Sequence, residues 1–122
     1  MHIVVTGMGI VAPIGTGIDQ FWNAAVKGAN GISPIQGFDP SGLHSRIAGQ
    51  IAQFNPADFL SPKQIEQTDR FTQLAISAAQ QALTDAGDLT GYAPRRLAVS
   101  LGSGMGGFGT FESSAARKFQ NK

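Results

Sequence analysis

Two glycine-rich segments carry the most distinctive chemistry in this sequence of 122 residues. Residues 7–12 read GMGIVA and residues 102–107 read GSGMGG, and each directly follows a short apolar run. Between a strand and a helix, this spacing leaves bare backbone amides that bind the pyrophosphate of a dinucleotide. The same glycines also suit a backbone that turns tightly or packs closely against a neighbour. The sequence around each motif is needed to distinguish pyrophosphate binding from close backbone packing.

The context of both segments argues against a nucleotide site. Pro13 and Gly15 stand where the first motif needs a helix, and the region about 20 residues later is a loop rather than a strand with an acidic end. After the second motif, neither a further strand nor an acidic ribose ligand precedes Lys122. A phosphate-binding Gly-Lys-Ser/Thr motif is also absent. A small nucleotide-binding α/β module is therefore the least favoured hypothesis.

Side chains that act as nucleophiles or metal ligands are scarce. The sequence has no Cys, which excludes disulfides, thiolate metal sites and thiol nucleophiles in this chain. His2 and His44 are the only histidines, too few for a histidine metal cluster. Ser103 is flanked by glycines, but Leu101 breaks the G-x-S-x-G pattern of serine hydrolases. We therefore predict no catalytic residue, metal or cofactor within this sequence.

The composition narrows the possible partners and the compartment. Charged residues make up 14% of the chain, well below the roughly 25% of ordinary globular proteins, so we expect other structure to cover much of its surface. The net charge of +1 favours neither a nucleic-acid nor a membrane partner. No apolar run approaches the roughly 20 residues that span a bilayer, and the N-terminus lacks a signal peptide. We therefore expect a cytoplasmic protein.

The strands that would position these glycines are short and apolar. Residues 3–5 and 97–101 are rich in β-branched and aliphatic side chains, and each precedes one of the glycine motifs, so both are predicted as buried strands. Residues 47–51 alternate as an edge strand does. Residues 29–43 are predicted as a loop because glycine and proline recur there.

The helix signals are stronger. A helix is predicted from Ile18 to Val26, stopped by Gly28, with Trp22 as a core anchor. Ser61 and Gln64 form a capping box, and Asn55 caps a short turn before it. The order strand, helix, strand, helix, strand, helix favours an α/β fold with a mainly parallel sheet and flanking helices.

Two further helices complete the sequence prediction. The main helix is expected to begin with a second cap near Thr68-Asp69 and to end at Gly87, and the alanines on its apolar face predict close approach to a neighbour. A last helix is predicted over Thr110 to Phe119, with Thr110 as its cap.

Several segments together resemble a known family. They occur in this order: residues 3–15 (IVVTGMGIVAPIG), Phe21-Trp22, Gly31-Ile32, Phe38-Asp39, residues 47–49 (IAG), residues 69–73 (DRFTQ) and residues 102–107 (GSGMGG). Each motif is weak alone, but their order and spacing resemble the N-terminal region of the β-ketoacyl-acyl carrier protein synthases. This resemblance covers essentially the whole chain.

The resemblance implies a fold and an activity. The fold is the thiolase fold, in which two similar α/β halves form a five-layered sandwich. The activity is decarboxylative condensation of an acyl thioester with malonyl-carrier protein in fatty acid or polyketide biosynthesis, without a cofactor. The family's Cys and two His belong to segments beyond residue 122. We therefore expect residues 1–122 to be a partial N-terminal domain, incomplete as half of the thiolase fold and inactive by itself.

The resemblance also implies partners and site residues. The complete enzyme is expected to bind acyl carrier protein with acyl and malonyl thioesters, and to form a homodimer or a ketosynthase-type heterodimer. Met105 matches the position that lines the acyl pocket, and Phe108 follows in the same loop. Lys63 matches a basic position that faces the acidic carrier protein.

The helix around Lys63 departs from the family pattern. Glu66 and Gln67 stand where further basic residues are frequent, and Thr68 replaces a frequent Met. These departures also fit a polyketide-type relative or a non-catalytic partner subunit of a ketosynthase heterodimer. That partner subunit is the second hypothesis, ahead of the nucleotide-binding module.

Overall fold

The computed structural model describes residues 2–120 and combines four helices with two small sheets. The helices and strands follow one another as β1 Val11–Ala12, β2 Gly15–Thr16, α1 Ile18–Val26, β3 Ile32–Pro34, β4 Ile47–Gly49, α2 Pro62–Gln67, α3 Arg70–Ala86 and α4 Phe108–Gln120. Two 3-10 turns, Pro56–Asp58 and Pro94–Arg96, lie between them. The first glycine motif thus ends in β1, and the second precedes α4.

The predicted caps at Ser61 and Asn55 are confirmed. Ser61 accepts a hydrogen bond from the amide of Gln64, whose side chain accepts one in return from the Ser61 amide, so the predicted capping box begins α2. Asn55 caps the turn before it through the amide of Ala57. Helix α1 has the predicted bounds, and α3 ends before Gly87 as expected.

The core lies where α3 crosses the turn at residues 56–58. Phe54 and Leu60 are buried there, and the rings of Phe54 and Phe59 stack with centroids 6.1 Å apart. The guanidinium of Arg70, at the start of α3, lies over the Phe54 ring at 5.4 Å and donates a hydrogen bond to the Ile51 carbonyl at 2.6 Å. These contacts attach α3 to the middle of the chain.

The predicted parallel sheet does not form within residues 2–120. Both sheets are two-stranded and antiparallel, β1 with β2 and β3 with β4. Residues 3–5 and 97–101 lie outside any strand, and their side chains are exposed, Ile3 by 92% and Val99 by 96%. A parallel strand needs neighbours that take up its backbone N–H and C=O groups, and these two segments have none in the described part of the chain.

Three smaller expectations also need correction. The predicted edge strand is present as β4, but its partner β3 lies inside the segment predicted as a loop. Residues 11–16, expected to be irregular because of their glycines, form the small β1–β2 hairpin. Trp22 is 64% exposed and is not a core anchor, because it borders an open groove between α1 and the first glycine motif.

The first glycine motif lies on the alanine face of α3. A Cβ atom on Gly7 would collide with the carbonyl of Ala82, and one on Gly9 would collide with the carbonyl of Ala78. Only glycine therefore allows this approach. The close contact predicted for the alanine face is confirmed, although the neighbour is an irregular segment rather than a second helix.

Candidate functional site

The second glycine motif forms the loop that leads into α4, and residues 102–107 are called the glycine loop below. Within it, the Ser103 hydroxyl accepts a hydrogen bond from the amide of Gly106 at 3.0 Å. Helix α4 begins at Phe108, two residues before the predicted start, so Thr110 lies in its first turn and is not its cap. The helix starts early because the Gly107 carbonyl already accepts a helical hydrogen bond, from the amide of Phe111 at 3.1 Å.

Of the two candidate acyl-pocket residues, Met105 lies in the glycine loop, whereas Phe108, expected in the same loop, is the first residue of α4. Met105 is 72% exposed, and Phe108 is 48% exposed with its ring centroid 6.0 Å from that of Phe111. The loop and the first turn of α4 thus present a patch of flexible thioether and aromatic carbon. A surface of this kind suits an alkyl chain, because Met adapts its shape to what it contacts.

Lys63 lies apart from this patch in the sequence, in the first turn of α2. Its side chain is exposed, and it follows Pro62, the first residue of the helix. The positive end of the helix dipole disfavours an ammonium group at this place. The positive charge of Lys63 therefore does not stabilise α2.

Asp69 has a different contact from the one that the sequence suggests. It occupies the cap position of α3 but makes no side-chain hydrogen bond to that helix. Its Oδ1 instead accepts a hydrogen bond from the hydroxyl of Thr110 in α4. No local pattern signals this contact, because the two residues are 41 positions apart.

Buried polar side chains that the sequence did not single out hold the junction between α2 and α3. Gln73 is buried, and its Nε2 donates to the carbonyls of Ile65 and Thr68 at 3.0 and 2.8 Å. Ser77 is fully buried and donates to the Gln73 carbonyl at 2.8 Å. The two Gln73 bonds satisfy carbonyls that the end of α2 leaves free, whereas the Ser77 bond lies within α3.

The first glycine motif does not offer a pyrophosphate cradle. The amide of Met8 donates to Oδ2 of Asp85 at 2.9 Å, and the amide of Ile10 donates to Oε1 of Gln81 at 3.3 Å. These amides are therefore occupied, and the carboxylate beside them would repel a phosphate. The close-packing use of this motif is the one that the structure supports.

Two of the grooves in the described part of the chain, similar in size, lie away from the glycine loop. One, of about 630 Å³, lies between the β1–β2 hairpin and the segment around Phe54. The other, of about 640 Å³, is apolar and lies between the first glycine motif and Trp22 on α1. Neither is lined by Met105 or Phe108.

Two kinds of feature are absent from the described residues. No group of three or more His, Asp or Glu side chains within residues 2–120 is placed to hold a metal ion. Over the same residues, none of the helices has the length and apolar composition that crossing a bilayer requires.

Comparison with known proteins establishes the class of this chain. The model of the β-ketoacyl synthase N-terminal domain matches residues 1–122. This chain therefore belongs to the β-ketoacyl synthase family, and the resemblance inferred from the ordered motifs is confirmed.

Individual relatives place the chain within that family. It is 41% identical over 113 residues to 3-oxoacyl-[acyl-carrier-protein] synthase 2 of Staphylococcus aureus (strain MRSA252), covering 92% of this chain and 27% of the relative. It is 44% identical over 111 residues to the tetracenomycin polyketide synthase ketoacyl synthase beta subunit of Streptomyces glaucescens, covering 87% and 26%. The chain thus spans about a quarter of the length of these relatives.

A solved structure supports the fold class. The ishigamide ketosynthase/chain length factor matches with a TM-score of 0.63 and 32% sequence identity, over 69% of this chain and 21% of the other. The local backbone therefore follows a ketosynthase of the thiolase-like class.

Proposed function

We propose that this chain is the N-terminal part of a 3-oxoacyl-acyl carrier protein synthase, which condenses an acyl thioester with malonyl-carrier protein. The observation that carries this proposal is the family match along residues 1–122. The nucleophile of covalent acyl transfer would come from elsewhere in the complete protein, because this chain has no Cys. These residues would supply the loop and the surfaces around that centre.

The exposed apolar segments support an incomplete fold. Residues 3–5 and 97–101 expose aliphatic side chains on both sides, as a central strand does when its neighbours are missing. In the complete protein we place them in a mainly parallel sheet with helices on both faces. Such a sheet would also cover the bare side of α1.

A condensation assay tests the proposal. The complete protein, incubated with acyl- and malonyl-carrier protein, is expected to release carbon dioxide and form a 3-oxoacyl product. Replacing its active-site Cys with Ala should abolish product formation, because the acyl group then has no nucleophile. Normal turnover by that variant would contradict the proposal.

A second candidate function rests on one comparison. The 44% identity to a ketoacyl synthase beta subunit, together with the ketosynthase/chain length factor match, favours a polyketide-type heterodimer. In that case the complete protein would be the non-catalytic subunit, and condensation would require a separate ketosynthase. Activity that appears only when a partner subunit is added distinguishes this candidate from a self-sufficient homodimer.

We predict that Lys63 contributes to carrier-protein binding. Lys63→Glu should raise KM for acyl-carrier protein about five-fold, because an exposed charge reversal next to an acidic partner weakens the encounter. The kcat and the activity with a small acyl thioester should stay unchanged. Steady-state kinetics with the two donors measures the difference.

Lys27 provides the matched control for this prediction. It is also an exposed lysine at a helix end, following α1. Lys27→Glu should leave both KM values unaltered. An equal rise in KM for both variants would indicate general electrostatics rather than a docking role for Lys63.

A further inference from the structure

One carboxylate joins the start of α3 to the start of α4. Oδ1 of Asp69 accepts the hydroxyl hydrogen bond of Thr110, while Asp69 itself stands at the cap position of α3. The positive ends of two helix dipoles therefore lie near one negative charge, which is a favourable arrangement.

The same carboxylate packs against the glycine loop. A Cβ atom on Gly107 would collide with Oδ2 of Asp69 and lie 3.8 Å from the Phe71 ring. A Cβ on Gly106 would lie 4.0 Å from the same ring. The carboxylate and the ring thus form a seat for the end of the loop, and a Cβ at position 107 would displace the carboxylate from its place.

The backbone next to Asp69 is held by the side chain of Gln73. The buried side chain of Gln73 binds the Thr68 carbonyl at 2.8 Å, directly before Asp69, and the same side chain binds the Ile65 carbonyl in α2. One part-buried hydrogen bond therefore holds the peptide directly before Asp69, and the same Gln73 side chain links that peptide to α2. A backbone held here restricts the positions that the Asp69 carboxylate can reach.

We propose that Asp69 is a positioning residue that holds the glycine loop on the start of α3 and thereby sets the acyl-chain lengths that the loop admits. The residue that would sense the chain is Met105, two positions before Gly107. The part that concerns acyl chains rests on the proposed function, whereas the positioning of the loop does not.

Amide hydrogen exchange in the complete protein tests the positioning directly. In Asp69→Ala, exchange across residues 103–111 should rise about ten-fold, because the loop loses its bond and its seat and opens more often. Exchange across α2 should stay at the wild-type rate. Asp69→Asn keeps an oxygen that accepts from Thr110, so its exchange should lie close to wild type.

Asp88 is the control, because its carboxylate also accepts a hydrogen bond from a threonine hydroxyl, but from a residue only two positions away. Its Oδ2 accepts the hydroxyl hydrogen bond of Thr90 at 2.8 Å, and the Thr90 amide and hydroxyl hold the pKa of Asp88 below its ordinary value. Asp88→Ala should not change exchange across residues 103–111. Unchanged exchange in Asp69→Ala, or an equal change in Asp88→Ala, would overturn the proposal.

A double substitution tests the seat itself. Gly107→Ala should loosen the loop because its methyl group collides with the Asp69 carboxylate, and removing that carboxylate in the Asp69→Ala/Gly107→Ala protein should relieve the collision. The effects on exchange should therefore be less than additive. Strictly additive effects on exchange would show that the two residues do not share a contact, and they would contradict the proposal.

Primer selectivity separates this inference from the proposed function. Asp69→Ala should shift the ratio of kcat/KM for long and short primers about ten-fold, and Asp69→Asn should restore most of the wild-type ratio. If wild type condenses primers and the ratio stays fixed in Asp69→Ala, the selectivity role is wrong. If wild type condenses none while exchange responds, the function fails and the positioning stands.

Discussion

Met105→Phe should lower kcat/KM for long acyl primers about 100-fold while acetyl-sized primers react at nearly the wild-type rate. A phenyl ring shortens a pocket without touching the reacting atoms, and a misfit of about 3 kcal/mol in a packed site corresponds to that factor. Met105→Ala should instead admit longer primers, since it removes most of the side chain. Competition assays with a series of primers in the complete protein measure both effects.

Met8→Phe is the control for the Met105 substitutions. Met8 is likewise an exposed methionine between two glycines, but it lies in the first glycine motif. Its substitution should leave the primer profile unaltered. If Met105→Phe and Met105→Ala reduced activity equally for all primers, Met105 would serve packing only, and its place in the acyl pocket would be wrong.

Gly9→Ala should prevent stable folding of the N-terminal segment onto α3. The added Cβ collides with the Ala78 carbonyl and lies 2.8 Å from the amide nitrogen of Ala82, so backbone rather than a flexible side chain would have to move. We expect a loss of about 3 kcal/mol or more from the free energy of unfolding, a large share of a typical domain's stability. Urea denaturation of the complete protein, followed by tryptophan fluorescence, reports the change because Trp22 borders the same groove.

Gly37→Ala is the matched control for Gly9→Ala. A Cβ on Gly37 meets nothing within 4 Å, so this substitution should leave the free energy of unfolding within about 0.5 kcal/mol of wild type. Equal destabilisation by both substitutions, or none by Gly9→Ala, would contradict the close packing of the motif on α3.

The close contact between the first glycine motif and α3 also shows how far a local motif can mislead. The GMGIVA pattern fits a dinucleotide turn equally well, and only its context argued for packing. The structure decides the question through Asp85 and Gln81, which occupy the amides from a helix more than 70 residues away. Such distant partners leave no mark on the motif itself.

Local interactions by themselves determined several elements of this protein. The capping box of Ser61, the Asn55 cap and the bounds of α1 follow from contacts within a few residues, so their patterns are present in the sequence. The family could also be recognised from the sequence, because the order of its motifs is a property of the sequence itself. The family match over residues 1–122 confirms it.

Tertiary structure alone decided the strands and the junction at Asp69. The apolar pattern of residues 3–5 and 97–101 predicts strands, yet backbone pairing needs neighbours, and the described chain provides none. Asp69 carries the local pattern of a helix cap, but its carboxylate binds Thr110 once the fold brings α4 beside α3. Helix caps and turns close over a few residues, whereas sheet pairing and contacts between distant helices depend on where the rest of the chain lies.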